Sequence, residues 1–185
     1  QHAGNPRAWM TDDGRWFLNL SDTAYRLFHG VDAPLWREYV GDIAGKGITC
    51  LRVAALGGWG GTPGTPSDDN NMWIWNDPWS GGASPDRTRF DLEKFRTTDE
   101  RLVWLLERHP GLQVQMILFG LKGYRSPQTG RQWFALPERV RTETMQTMIA
   151  RWAAFPNVFW LLANDLHCDP GFPENQAFAR EAGRF

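Results

Sequence analysis

Short apolar runs alternate with amphipathic stretches along the whole chain. Residues 16–20, 48–55, 112–119 and 157–163 are dense in apolar and aromatic side chains. They are short for helices, so buried strands fit them best. Between these runs the apolar positions switch to three- and four-residue spacing. Leu35, Trp36, Tyr39, Val40 and Ile43 predict a helix with Asp32 as N-cap, stopped by Gly45 and Gly47. Residues 91–95 predict a helical turn, and Thr97-Thr98-Asp99-Glu100 resembles a capping box opening a second helix through Leu102, Leu105 and Leu106, which Pro110-Gly111 ends. Pro137 opens a third helix, whose buried face is Val140, Met145, Met148, Ile149 and Trp152. Ala177, Phe178 and Ala182 begin a fourth over 174–185. Ahead of the first strand, residues 8–18 predict a small hairpin turning at Asp13-Gly14.

Strands alternating with helices imply parallel β/α units. Four such units are half of a (β/α)8 TIM-barrel, a fold of ~250 residues. An open doubly wound sheet is the alternative. Aromatic-rich loops on the carboxyl side of the strands, at 57–89 and 120–136, favour the barrel. The expectation is an α/β domain over residues 1–185 that forms the amino-terminal half of a barrel, with only about the first four β/α units present. Its outer strands would expose raw sheet edges, covered by self-association or by a completing chain.

Charge and composition narrow the function classes. A net charge of −1 gives no basic footprint for nucleic acid. No apolar run approaches the ~20 residues that cross a membrane. The start, Gln1-His2-Ala3, carries no visible signal peptide, which suits a cytoplasmic protein or an already trimmed mature form. Cys50 lies in an apolar run and reads as a buried thiol, with a disulfide to Cys168 as the alternative. The chain holds 11 Trp. Trp73, Trp75 and Trp79 fall in a Gly/Pro/Asn/Asp-rich segment. Exposed loop Trp usually has a ligand to cover it, and a flat sugar face is one such ligand; packing of the loop onto a barrel rim is the other reading.

The candidate chemistry lies at predicted strand ends. Asp22 follows the first strand, Arg52 lies on the second, and Asn164 and Asp165 follow the fourth. A barrel would bring all of them to one mouth. A carboxylic acid against aromatic walls can keep its proton near neutral pH and protonate a leaving oxygen. Glycoside hydrolysis needs such an acid and a second carboxylate. Asn164 and Asp22 would bind sugar hydroxyls, and Arg52 would pair with Asp22, substrate or a nucleophile. The alternatives are local: Asp22 and Asp165 as caps, Arg52 as a structural ion-pair partner. His167, Cys168 and Asp169 hint at a metal, but metal-site spacing is absent, and no metal or cofactor is expected. No Gly-Xaa-Ser-Xaa-Gly elbow or phosphate loop occurs.

Residues 17–25, Phe-Leu-Asn-Leu-Ser-Asp-Thr-Ala-Tyr, resemble the first-strand signature of the apiosidase-like glycoside hydrolases, where Gly-Asp-Thr-Ala-Trp is usual. Gly47-Ile48-Thr49, then Phe95 with Asp99, then Gly111-Leu112-Gln113-Val114, resemble further strings of that family in the same order. Residues 156–165 resemble its fourth strand, which ends in an acid. The resemblance implies a barrel that cleaves glycosidic bonds in plant or microbial polysaccharide, in a secreted or periplasmic setting. It implies Asp165 as proton donor, and Asp22 and Asn164 in the substrate pocket. Ser21, Tyr25 and Asn164 depart from the family's usual Gly, Trp and Gly. The nucleophile of such barrels sits on a seventh strand, outside these residues. A non-catalytic carbohydrate-binding or degenerate half-barrel is the competing reading.

Overall fold

The computed structural model describes residues 4–5, 8–25, 27–28, 33–55, 79–80, 86–119, 128–164 and 166–185. In chain order the elements are β1 (Trp9–Met10), β2 (Trp16–Phe17), β3 (Ser21–Thr23), α1 (Ala33–Gly45), β4 (Cys50–Ala54), β5 (Trp79–Ser80), β6 (Asp86–Phe90), α2 (Leu92–Arg108), β7 (Gln113–Phe119), α3 (Gln128–Ala135), α4 (Glu138–Trp152), β8 (Val158–Ala163) and α5 (Pro173–Ala182).

β3, β4, β7 and β8 form a four-stranded sheet in that order. All three pairings are parallel. Each new strand adds to the same side of the last. A doubly wound sheet reverses direction at a switch point, whereas this sequential order is that of a barrel. The first sheet strand is not where the apolar run predicted it. Trp16 and Phe17 pair antiparallel with Met10 and Trp9 in the hairpin, which turns at Gly14 with φ 84°. The sheet ladder starts only where the Leu20 carbonyl accepts from Thr49 N at 2.9 Å and Cys50 N at 3.1 Å. Ser21-Asp22-Thr23 is therefore the strand itself, its backbone satisfied by β4.

The helices form where an apolar stripe can reach the sheet. α1 ends in a Schellman arrangement: Ile48 N bonds Ile43 O at 3.1 Å, Gly47 N bonds Ala44 O at 3.1 Å, and Gly47 takes φ 83°. α2 runs unbroken through the predicted break. Asp91 caps it, accepting from Glu93 N at 3.2 Å and Lys94 N at 3.3 Å. Phe95, Thr98, Leu102 and Leu105 make one buried stripe across the predicted capping box. Asp99, inside that string, instead ties α2 to α4. Its carboxylate accepts from Arg151 Nη2 at 2.6 Å and from the Trp152 indole N–H at 2.9 Å. α3 falls in a segment predicted as loop. Its anchor is the fully buried Trp133, whose indole N–H donates to Glu181 Oε1 of α5 at 3.1 Å. Arg141 Nε of α4 reaches the same oxygen at 2.7 Å. The small antiparallel pair β5–β6 also lies in a predicted loop.

The core sits on one face of the sheet. Leu51, Val53, Val114 and Met116 pack there against Trp36, Val40 and Ile43 of α1, the α2 stripe, and Met145, Met148 and Trp152 of α4. The other face carries the row Thr23, Arg52, Gln115 and Phe159, matched residue to residue across the strands. Phe159 is 51% exposed. The run at 157–163, predicted as a buried strand, is thus the sheet's outer strand among the described residues: Val158, Trp160 and Leu162 are half-buried toward the helices, and on the other face exposure falls from Phe159 to the buried Ala163.

Removing the Asp91 side chain with Asp91→Ala is expected to lower stability by about 1 kcal/mol, the usual worth of an N-cap. Thr97→Ala, at the predicted but unused cap, is expected to stay within about 0.5 kcal/mol. Urea unfolding of the two variants checks this; equal losses would place the helix start elsewhere.

Candidate active site at the strand ends

Three side chains meet at the carboxyl ends of the strands. β3 hands over to a tight turn: Ala24 N bonds Arg52 O at 2.9 Å and Leu27 N bonds Ala24 O at 2.9 Å. The Tyr25 carbonyl accepts from Ala54 N at 3.3 Å, which folds Tyr25 over the end of β4. At the far side, β8 stops at Ala163 and Asn164 occupies the turn, only 2% exposed. Asn164 Oδ1 accepts from the Tyr25 hydroxyl at 3.3 Å and from Arg52 Nη2. One amide oxygen thus gathers Tyr25 from the turn after β3 and Arg52 from β4 at the end of β8.

Arg52 starts in the middle of β4 on the face away from the helices. Its Nε is buried and has no hydrogen-bond partner. A buried guanidinium N–H without an acceptor is costly, because the water it lost is not replaced. The group is poised for an oxygen, and a carboxylate or phosphate suits its planar geometry best.

Asp22 does not join this cluster. It lies within β3 rather than after it, and its strand partner is Leu51, while Arg52 pairs with Thr23. Alternation puts Asp22 on the helix-covered face, where Tyr39 of α1 donates its hydroxyl to Asp22 Oδ2 at 2.6 Å. The Thr23 backbone N–H donates to Asp22 Oδ1 at 2.7 Å. Burial, and then the neighbouring Asp22 carboxylate, hold the Tyr39 hydroxyl well above its ordinary pKa. Of the partners considered for Arg52, Asp22 is instead engaged by Tyr39.

Asp165, Trp73 and Trp75 lie outside the described residues, so their expected roles pass to the proposal below. Of Trp79 only the backbone is described, paired with Phe90. Tyr25 is the site residue that the reading of strand ends missed. The available signal was a phenol two residues beyond the Ser-Asp-Thr strand. Cys50 is buried and Cys168 exposed, both free thiols. His167 Nδ1 lies 3.8 Å from Asp169 Oδ2. Among the described residues no three His, Cys, Asp or Glu side chains cluster as metal ligands would.

Sequential parallel β/α units with polar side chains gathered at the strand ends define a partial barrel of the TIM type. The model of the apiosidase-like catalytic domain matches residues 3–184, and the chain belongs to that family. Among solved structures, a glycoside hydrolase family 5 protein from Bacteroides vulgatus superimposes at TM-score 0.59 and 15% identity, over 95% of this chain and 34% of its own. A second Bacteroides vulgatus structure gives TM-score 0.62 at 18% identity, over 93% and 34%. A further structure titled glycoside hydrolase gives 0.58 at 15%, over 94% and 35%. The chain spans about a third of the length of these proteins. No curated protein matches it.

Tyr39→Phe tests the Asp22 geometry. The variant is expected to lose about 1 kcal/mol at neutral pH, the worth of one hydrogen bond. Because the Tyr39 pKa is raised in the folded protein, its contribution is complete below the unfolded value of 10.0 and fades as the pH climbs past it. Thermal melts between about pH 9 and about pH 11 should converge for wild type and variant. A constant gap across that range would show that Tyr39 does not carry the effect.

Proposed function

We propose that this chain is the amino-terminal part of a glycoside hydrolase barrel in which Asp165 is the general acid/base. The observation that carries the reading is the meeting of Tyr25 and Arg52 on Asn164, the residue immediately before Asp165, in a chain of the apiosidase-like family. Asp165 protonates the glycosidic oxygen as the bond to the anomeric carbon breaks. A polypeptide segment completing the barrel supplies the second carboxylate, as nucleophile or as base for water. Arg52 Nε, buried and unsatisfied, takes that carboxylate or a sugar oxygen as its acceptor. Asn164, held by two donors, meets the hydroxyl next to the reacting carbon. Trp73, Trp75 and Trp79 stack on neighbouring sugar rings. The substrate is a plant or microbial polysaccharide, met in a secreted or periplasmic setting. Separation of the two carboxylates sets the stereochemistry, ~5–5.5 Å for retention and ~6.5–9.5 Å for inversion.

A second reading, a carbohydrate-binding half-barrel without turnover, draws on one observation. The open row Thr23, Arg52, Gln115 and Phe159 contains no carboxylate to act as nucleophile. Assaying the barrel-complete protein on mixed polysaccharides separates the readings: binding without released sugar favours this one.

In the barrel-complete enzyme, Asp165→Asn is expected to cut turnover of glycosides with poor leaving groups by about 10²- to 10⁴-fold, the range of general acid catalysis. Activated aryl glycosides, which need no proton, should be far less affected. Steady-state kinetics on both substrate types checks it, and unimpaired turnover of the poor leaving group would remove Asp165 from the mechanism.

A further inference from the structure

The donors and acceptors at the mouth fix where the Tyr25 proton lies. An arginine side chain carries donors only, so the Asn164 amide atom that Arg52 Nη2 meets is the oxygen. That oxygen has no proton to give. The Tyr25 hydroxyl, 3.3 Å from the same atom, is therefore the donor of its pair. A phenol has one proton, and Tyr25 has placed it on Asn164. Toward any other group the Tyr25 oxygen acts only as an acceptor.

Access separates the two residues. Asn164 is 2% exposed, whereas Tyr25 is half-buried. The turn that carries Tyr25 is tied into the sheet: Ala24 N bonds Arg52 O, and Ala54 N bonds Tyr25 O. The phenol is thus a fixed feature of the strand ends. The polarity offered there is mixed. Arg52 Nε is a buried donor without an acceptor, and the Tyr25 oxygen is an acceptor. A sugar hydroxyl both donates and accepts, so neighbouring hydroxyls of one ring can answer both.

We propose that Tyr25 is a specificity-determining residue: its oxygen accepts from one hydroxyl of the sugar seated at the strand ends and selects sugars that carry a donor there. The proposal rests on the glycosidase reading of the same mouth. A polar group placed to pair with a substrate hydroxyl rejects the analogue that lacks it, because the group is then left without its partner. A hydrogen or a fluorine at that ring position cannot donate, and both are disfavoured.

The test uses the barrel-complete protein. The probes are the sugar that it releases from mixed polysaccharide and the singly deoxygenated and deoxyfluorinated analogues of that sugar. Calorimetric titration gives their dissociation constants for wild type, Tyr25→Phe and Asn164→Asp. At one ring position the wild type is expected to bind both analogues about 10-fold more weakly than the parent sugar, the worth of one hydrogen bond. Fluorine keeps a weak acceptor and loses the donor, so equal losses mark a hydroxyl that donates. Tyr25→Phe keeps the ring. It should bind the parent sugar about 10-fold more weakly and no longer distinguish it from the two analogues. Asn164→Asp keeps an acceptor for Tyr25 and Arg52 and loses only the amide N–H groups, so the discrimination should survive in it. Discrimination that persists in Tyr25→Phe would overturn the proposal and leave Tyr25 as a support for Asn164. Discrimination lost only in Asn164→Asp would overturn it in favour of Asn164 as the reader. A fluorinated analogue that binds like the parent at the position where the deoxygenated one is weak would also overturn it, because the sugar oxygen would then be accepting. Release of sugar without any such coupling removes the role of Tyr25 alone. Failure to release any sugar removes the glycosidase reading, and the role of Tyr25 goes with it.

Discussion

Alternation of side chains along the parallel strands is the constraint on which the rest of this structure depends. In register, Asp22, Leu51, Val114 and Val158 share one face, and Thr23, Arg52, Gln115 and Phe159 the other. The first set is sealed by α1, α2 and α4. Apolar burial there drives the sheet together. The second set is mostly polar. A parallel sheet ordinarily needs cover on both faces, so this second face is the surface that a closed barrel would take inside. A slip of one residue in β4 would put Arg52 into the core and expose Leu51, which fixes the register strongly.

That division also explains how the site is assembled. Arg52 belongs to the open face and its guanidinium ends at Asn164. Asn164 is buried just past the end of β8. Tyr25 arrives from the turn after β3. None of the three is a core residue, yet each is placed by an element that the core holds. Their common acceptor, Asn164 Oδ1, belongs to the residue that precedes Asp165 in the sequence. The α5 turn supports the same loop from the other side, through the carbonyls of His167 and Cys168.

Much of the architecture was legible in the residue pattern. The β4, β7 and β8 runs, the Gly47 helix stop, the buried face of α4 and, in α1, Trp36, Val40 and Ile43 follow from local apolar spacing and turn chemistry, while Leu35 of the same pattern is exposed. The errors have identifiable causes. Trp16 and Phe17 form the expected hairpin with Trp9 and Met10, but the run 16–20 that they begin is not the first sheet strand, which is Ser21–Thr23. Thr97 to Glu100 has the letters of a capping box, yet the stripe from Phe95 to Leu105 carries the helix straight through it and Asp91 does the capping. α3 has a weak apolar pattern of its own, and a distant carboxylate, Glu181, supplies the partner for its buried Trp133. In each case a contact outside the local window outweighed the local preference.

By itself, the sequence determined the alternation of strands and helices, because apolar periodicity and turn residues act within a few positions of one another. It also marked Arg52 and Asn164 as strand-end candidates. Only the tertiary structure decided which polar residues share the mouth. The Tyr25–Asn164 bond joins positions 139 apart and the Arg52–Asn164 bond positions 112 apart. Whether Asp22 turns toward Arg52 or toward Tyr39 depends on strand register, a property of the pairing and not of any one strand. The physical reason is parity: a shift of one residue exchanges the two faces, and burial of Leu51, Val53, Val114 and Met116 against the helices selects one of them.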